Sequence, residues 1–196
     1  MPYRALALAV LIVAAWGTDA NPLALSGDHL RRLAVGEIIL LDVLPPGGTG
    51  KPAQGGTGIA LVHASAESVW RVLVDFPGHR GLYPRVVGAE VVEFDIEHAL
   101  VRYVVGLGPL SFGFHVHNYP DAIRRRINWR LAHERPNDLF RETWGYWHIE
   151  PRGSDVLLTY AMAARTVLPS FITRNAERDG LVETLKAVRE RAEQGR

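Results

Sequence analysis

The run Ala64-Ser65-Ala66-Glu67-Ser68-Val69-Trp70-Arg71-Val72-Leu73-Val74-Asp75-Phe76, closed by Pro77-Gly78 and followed by Tyr83-Pro84-Arg85-Val86, decides how this chain is read. Ser65 has the side chain of an N-cap, and Glu67 places a negative charge in the first turn, where the helix dipole favours it. Val69, Trp70, Leu73 and Val74 form one apolar helical face. Pro77-Gly78 stops that helix, and a second short helical turn is predicted through Arg80-Gly81-Leu82-Tyr83 until Pro84. Immediately upstream, Thr57 to Ala64 reads as a strand, with Ile59 and Leu61 alternating around Ala60 and Val62.

Downstream the period changes to two. Val87 to Phe94, Ala99 to Leu107, Ser111 to Tyr119, Ala122 to Leu131, Leu139 to Ile149 and Asp155 to Ala164 each read as strands. Their separators, such as Gly108-Pro109, Pro120-Asp121 and Pro151-Arg152-Gly153-Ser154, are short and turn-like. Short separators require antiparallel pairing, because parallel neighbours need long crossovers. After Pro169 the helical period returns, with Leu181, Leu185, Val188 and Ala192 at spacings of four, three and four. Gly180 weakens that helix by about 1 kcal/mol relative to alanine. The sum is an α+β domain: strand, two short helices, six antiparallel strands, long helix.

The N-terminal part is read separately. Arg4 precedes the apolar run Ala5 to Trp16, which is shorter than the about 20 residues a membrane span requires. It fits the charged and apolar regions of a secretory signal, with Thr18-Asp19-Ala20 as the cleavage tripeptide; an uncleaved anchor is the competing reading. The expectation is a signal peptide over 1–20, an arm and linker over 21–56, and the main domain over 57–196, released to the periplasm or secreted. Within the arm, Ser26 caps a short helix, Glu37 to Leu44 is strand-like, and Pro45-Pro46-Gly47-Gly48-Thr49-Gly50 with Gly55-Gly56 marks a loop.

Composition narrows the function classes. The 196 residues include 47% hydrophobic and 22% charged residues, an ordinary globular balance. A net charge of +1 supplies no whole-protein field for nucleic acid. The absence of cysteine excludes disulfides, thiolate zinc sites and cysteine nucleophiles. Gly47-Gly48-Thr49-Gly50-Lys51 lacks the spacing of a phosphate loop and reads as a flexible arm. Arg124-Arg125-Arg126 with Arg130 is split between two faces by strand alternation, so it reads as a solvated face with transient membrane contact as the alternative use.

The order of elements, together with Ala64–Phe76, Tyr83-Pro84-Arg85-Val86 and the late-strand residues Gly145-Tyr146-Trp147-His148-Ile149-Glu150-Pro151 and Thr159-Tyr160, resembles the START-like or SRPBCC superfamily. Within it the chain is most similar to the polyketide cyclase/dehydrase and coenzyme-Q-binding branch. The resemblance spans roughly Thr57 to Glu193 and implies a helix-grip fold, a curved antiparallel sheet wrapped around the C-terminal helix. It also implies an apolar cavity between them for lipids, sterols, quinones, hormones or polyketides. Asp75 matches the family's Asp and is expected as a cap or loop hydrogen bond rather than a base.

Strand alternation nominates the residues that would face such a cavity. They are Tyr103 and Val105; Phe112, Phe114 and Val116; Ile127 and Trp129, with Ile123 and Leu131; Trp147, with Thr143, Gly145 and Ile149; and Leu158, Tyr160 and Met162, with Val156. Trp144 and Tyr146 compete for the Trp147 face. Phe171, Leu181, Leu185 and Val188 would close the cavity from the helix. Arg125 falls on the inward side as a lone charge, able to anchor a polar ligand group or to reach water at a strand end. His115 and His117 share one strand face, but a zinc site needs a third ligand such as His63 or His148, which the spacing does not supply. No catalytic set, metal or cofactor is expected. The leading reading is a monomeric binder or carrier of a hydrophobic small molecule; the alternatives are a cyclase- or dehydratase-like enzyme using the same cavity, and an interaction module with a filled core.

Overall fold

The structure, a computed structural model, describes residues 25–167 and 176–195. In chain order the elements are α1 (Gly27–Ala34), β1 (Ile39–Leu41), β2 (Gln54–Val62), α2 (Ala66–Val74), a 3-10 turn (Pro77–His79), β3 (Val86–Phe94), β4 (Ala99–Leu107), β5 (Leu110–Asp121), β6 (Arg126–Leu131), β7 (Phe140–Arg152), β8 (Asp155–Thr166) and α3 (Ala176–Gln194). One sheet of eight strands runs β1-β2-β8-β7-β6-β5-β4-β3, with every neighbouring pair antiparallel. β3 to β8 form the expected meander, and β2 pairs with β8. The connection from β2 to β3 therefore links the two ends of the meander, and it carries α2 and the 3-10 turn.

Local chemistry sets these boundaries. The Ser65 hydroxyl accepts from the Ser68 N–H at 3.1 Å and starts α2. Asp75 accepts from the Gly78 N–H at 3.2 Å, the loop hydrogen bond expected of it. Register shifts between β3 and β4 and between Phe140 and Glu142 of β7 are the bulges that accompany bending of a sheet. Leu181, Leu185, Val188 and Ala192 are all buried, so α3 presents the stripe its spacing predicts.

Gly55 and Gly56 were expected in a loop and instead open β2. Gly55 has φ 147, and a Cβ there would lie 2.1 Å from the Met162 carbonyl oxygen. At Gly58 a Cβ would lie 2.5 Å from Leu185 Cδ1. The bare backbone is what lets α3 lie directly on β2. The concave core joins Val62, Val69, Leu73, Ile127, Ile149, Leu158, Leu185 and Val188.

The segment read as an arm packs on the opposite side, where Leu33 and Ile39 meet Ile59 and Leu157. Its Gly-rich part, read as flexible, lies against β7. The Trp144 indole N–H donates to the Pro45 carbonyl at 3.2 Å, and the Thr49 hydroxyl donates to Glu142 at 2.9 Å. A Cβ on Gly48 would overlap the Trp144 ring. Trp144 thus faces outward, and so does Tyr146, under the Arg126 guanidinium 3.6 Å from its ring centroid. Trp147 takes the inner face alone.

Candidate functional site

Between the sheet and the helices lies a cavity of about 270 Å³. The expected residues Tyr103, Val105, Phe114, Val116, Ile127, Trp129, Trp147, Tyr160 and Met162 all line it. Leu73, Phe76, Leu139, Phe140 and Thr143 complete the walls. At one end Arg85, Val86, Leu107, Thr166 and Glu183 form the rim. The turn carrying Arg85, which has φ 62, is tied to β4 by the Gly106 N–H donating to the Arg85 carbonyl at 2.8 Å. α3 contributes Gly180 and Thr184 to the wall.

The other expected residues lie elsewhere. Leu158, Leu181 and Leu185 are fully packed in the core, with Leu181 and Leu185 over Gly56 and Gly58. They share a face with cavity residues but sit where sheet and helix touch. Phe112 is half-buried beyond the cavity wall, paired with Val105. Phe171 is outside the described residues.

Arg125 is a correction: it is exposed, with φ 49, in the turn between β5 and β6. β6 starts at Arg126 rather than Ala122, and Ile123 is 94% exposed. Asp121 makes the turn, accepting from the Arg124 N–H at 2.9 Å and the Arg124 guanidinium at 2.8 Å. Alternation continued through these residues by parity alone, which does not distinguish a strand from the turn before it. The turn also sits at the sheet end opposite the rim, since Arg126 pairs with His148 while Phe140 pairs with Thr166.

Two polar groups of the interior, His79 and Tyr83, come from a segment that strand patterns do not cover; Tyr103, Asn118, Thr143 and Tyr160 come from strands and Thr184 from α3. His79, at the end of the 3-10 turn, is 3% exposed. Its Nε2 lies 3.2 Å from the Leu73 carbonyl, which only accepts, so Nε2 carries the proton. Nδ1 is then bare and accepts the Tyr103 hydroxyl proton at 2.9 Å. Burial lowers the His79 pKa from 6.5 to about 4, against the opposing Leu73 hydrogen bond and Asp75 charge. The Tyr83 ring stacks on His79 at 4.2 Å, and Trp147 stacks on Tyr160 at 4.0 Å. Burial raises the pKa of Tyr83, Tyr103 and Tyr160, and the proximity of the phenols to one another adds to the effect for Tyr83 and Tyr103. The Tyr83 hydroxyl is buried with no hydrogen-bond partner among the described residues, and its ring lies stacked 6.3 Å from Trp147. His79 carried no pattern of its own: the helical turn expected over residues 80–83 starts one residue after it, and the structure places the 3-10 turn earlier, at Pro77–His79.

On the outer face, His117 lies 2.6 Å from both His98 and Glu134, while His115 contacts the Pro136 carbonyl at 3.0 Å. Neither approaches His63, which pairs with Asp155 at 3.1 Å. Among the described residues no group of three His, Cys, Asp or Glu side chains could hold a metal ion, and no helix is long and apolar enough to cross a membrane.

Residues 62–189 match the protein family described as polyketide cyclase / dehydrase and lipid transport. This chain belongs to that family. Its helix-grip architecture is the START-like, hydrophobic-ligand-binding fold of polyketide cyclase and lipid-transfer proteins. The Zhui aromatase/cyclase of Streptomyces sp. R1128 superposes with a TM-score of 0.63 at 19% identity, over 73% of this chain and 95% of that one. A STAR-related lipid transfer protein of Xanthomonas axonopodis gives 0.63 at 20% identity, over 79% and 92%. A START superfamily protein of Mycobacterium smegmatis gives 0.61 at 20% identity, over 71% and 97%. Identities this low establish the fold alone. No curated protein sequence matches the chain.

Proposed function

We propose that this family member is an exported binder or carrier of a hydrophobic small molecule, held in the cavity between the sheet and α3. The observation that carries the reading is the cavity itself, walled by Phe, Tyr, Trp, Val, Leu and Met side chains with few polar groups. Such a surface gains affinity mainly from apolar area removed from water, about 25 cal/mol per Å² before ordering costs. Its volume of about 270 Å³ falls just below the roughly 300–1,000 Å³ of usual ligand pockets. A sterol or long-chain lipid would therefore have to project through the rim. Export rests on the Arg4-led apolar run and the Thr18-Asp19-Ala20 tripeptide.

The cyclase-like alternative has one observation in its favour, the buried His79–Tyr103 pair facing the cavity. A general acid or base works best with a pKa near the working pH. His79 is held at about 4 and the phenols of Tyr83, Tyr103 and Tyr160 are pushed above their ordinary range, so none of these four described interior groups is poised near neutrality. That weighs toward binding.

The test is native mass spectrometry with lipid extraction of the protein purified from its own producing cells. A defined co-purifying hydrophobic molecule is the expected result. A ligand-free mass that persists after incubation with lipid and quinone mixtures would refute the carrier reading. Detection of the chain in the cytoplasmic fraction alone would refute export.

A further inference from the structure

Away from the cavity, we infer that the free edge of β3 and the turn after it take a basic, extended segment of a partner protein as an added strand. The eight-stranded sheet has two edges. β1 closes one with only three residues, Ile39–Leu41. β3 forms the other with nine, Val86–Phe94. At its start the Val86 carbonyl accepts from the Gly81 N–H at 3.1 Å. Among the described residues, no backbone group outside β4 bonds to residues 87–94. An unpaired edge presents a row of N–H and C=O groups to an incoming strand.

The side chains along this edge alternate in character. Val92, Phe94 and Ile96 are 42%, 73% and 95% exposed, and they alternate with Glu93, Asp95 and Glu97, all exposed. Folded sheets guard a free edge with charges and bulges, and β3 has both, including the register shift between Val91 and Glu93. Such guarding normally also leaves few exposed apolar side chains at the edge, yet three remain here in one short run. They are the area that a docked strand would remove from water.

The sign of the charge selects the partner. Glu90, Glu93, Asp95 and Glu97 lie on the edge strand and its turn, and Glu134 is held near them through His117 and His98. Arg135, paired with Glu93, and Arg102, the strand partner of Glu90, offset part of this charge. Arg85 stands at the other end of the strand, on the cavity rim. The whole chain carries +1, so the acidity is local. Two copies meeting edge to edge would set the same carboxylates against one another, and like charges directly opposite are destabilising. The complementary occupant is a segment that alternates arginine or lysine with apolar residues.

The probe is a short capped peptide alternating arginine and valine, titrated into the isotope-labelled full chain and followed by amide NMR shifts. Shifts should map to residues 87–97 and leave β1 and β2 unmoved. The same peptide with glutamate for arginine, or with a central proline, should bind at least about tenfold more weakly. Phe94→Ser should weaken the arginine peptide about tenfold, and Asp95→Asn with Glu97→Gln about fivefold. Leu30→Ser, an exposed apolar site on α1, should change nothing. All these side chains are exposed, so the variants should keep the wild-type melt. Equal affinity for the acidic and basic peptides, undiminished binding of the proline version, shifts on β1 instead, or no shift at about millimolar peptide would each overturn the inference. So would a concentration-dependent dimer that Phe94→Ser abolishes, because the edge would then pair with its own copy. None of these readouts involves the cavity, so failure here leaves the carrier reading standing.

Discussion

Replacing Gly145 by alanine tests how the inner wall is built. Gly145 on β7 pairs with Trp129 on β6 and Met162 on β8. A Cβ there would stand 2.2 Å from the Ala161 carbonyl oxygen and 2.5 Å from Trp129 Cζ2. The carbonyl belongs to the β7–β8 pairing and has little freedom, and the indole is a cavity wall pressed over the glycine. Overpacking a well-filled site costs about 1–3 kcal/mol. Two obstructions, one of them backbone, place Gly145→Ala at the upper end, about 3 kcal/mol. For a chain of this size each kcal/mol moves Tm by about 2–4 °C, so Tm should fall by roughly 6–12 °C. Thermal unfolding followed by far-UV circular dichroism measures the loss, and near-UV spectra report the displaced Trp129. A Tm within about 2 °C of wild type would refute the claim that Trp129 is seated by a bare backbone.

Gly180→Ala is the opposite case: among the described residues outside its own helical turn no atom lies within 4 Å of the added Cβ, and α3 gains about 0.5–1 kcal/mol of helix propensity, read as a rise of about 1–4 °C in Tm. His79 makes stability depend on pH. Its folded pKa of about 4 lies below the ordinary 6.5, so between these values the unfolded chain binds a proton that the folded one does not. Stability should therefore fall as pH drops from 6.5 to about 4, by about 3 kcal/mol in total. Subtracting the denaturant-melt profile of His79→Gln should isolate that drop, and parallel profiles would contradict it. Thr184→Trp places an indole from α3 into the cavity and should abolish uptake of any co-purifying ligand while a cooperative melt is retained. Undiminished uptake by a folded variant would show that ligand binds elsewhere.

Much of the scaffold was legible from local pattern. β4 starts and ends where alternation places it, at Ala99 and Leu107. The α3 stripe is buried as its spacing implies, and the inward sets of β4 to β8 line the cavity or pack in the core, apart from Phe112 and Ile123. These features follow from the repeat of one element against one apolar layer, which a sequence records directly. The same rule failed at Arg125, where parity was carried through a turn made by Asp121 and Arg124.

The sequence by itself determined which residues share a face, the antiparallel meander and the amphipathic closing helix. Only the tertiary structure decided which inward residues border empty space. Leu158 and Tyr160 lie two apart on one face of β8, yet Leu158 is packed in the core while Tyr160 lines the cavity. The difference is the distance between layers at each point. Gly58 admits Leu185 against the sheet, and elsewhere the helix and the bent strands stay apart. The Tyr83–His79–Tyr103 cluster likewise joins a short turn to a strand through contacts between distant residues. Periodicity records which face a side chain occupies; it does not record how far away the opposite layer stands.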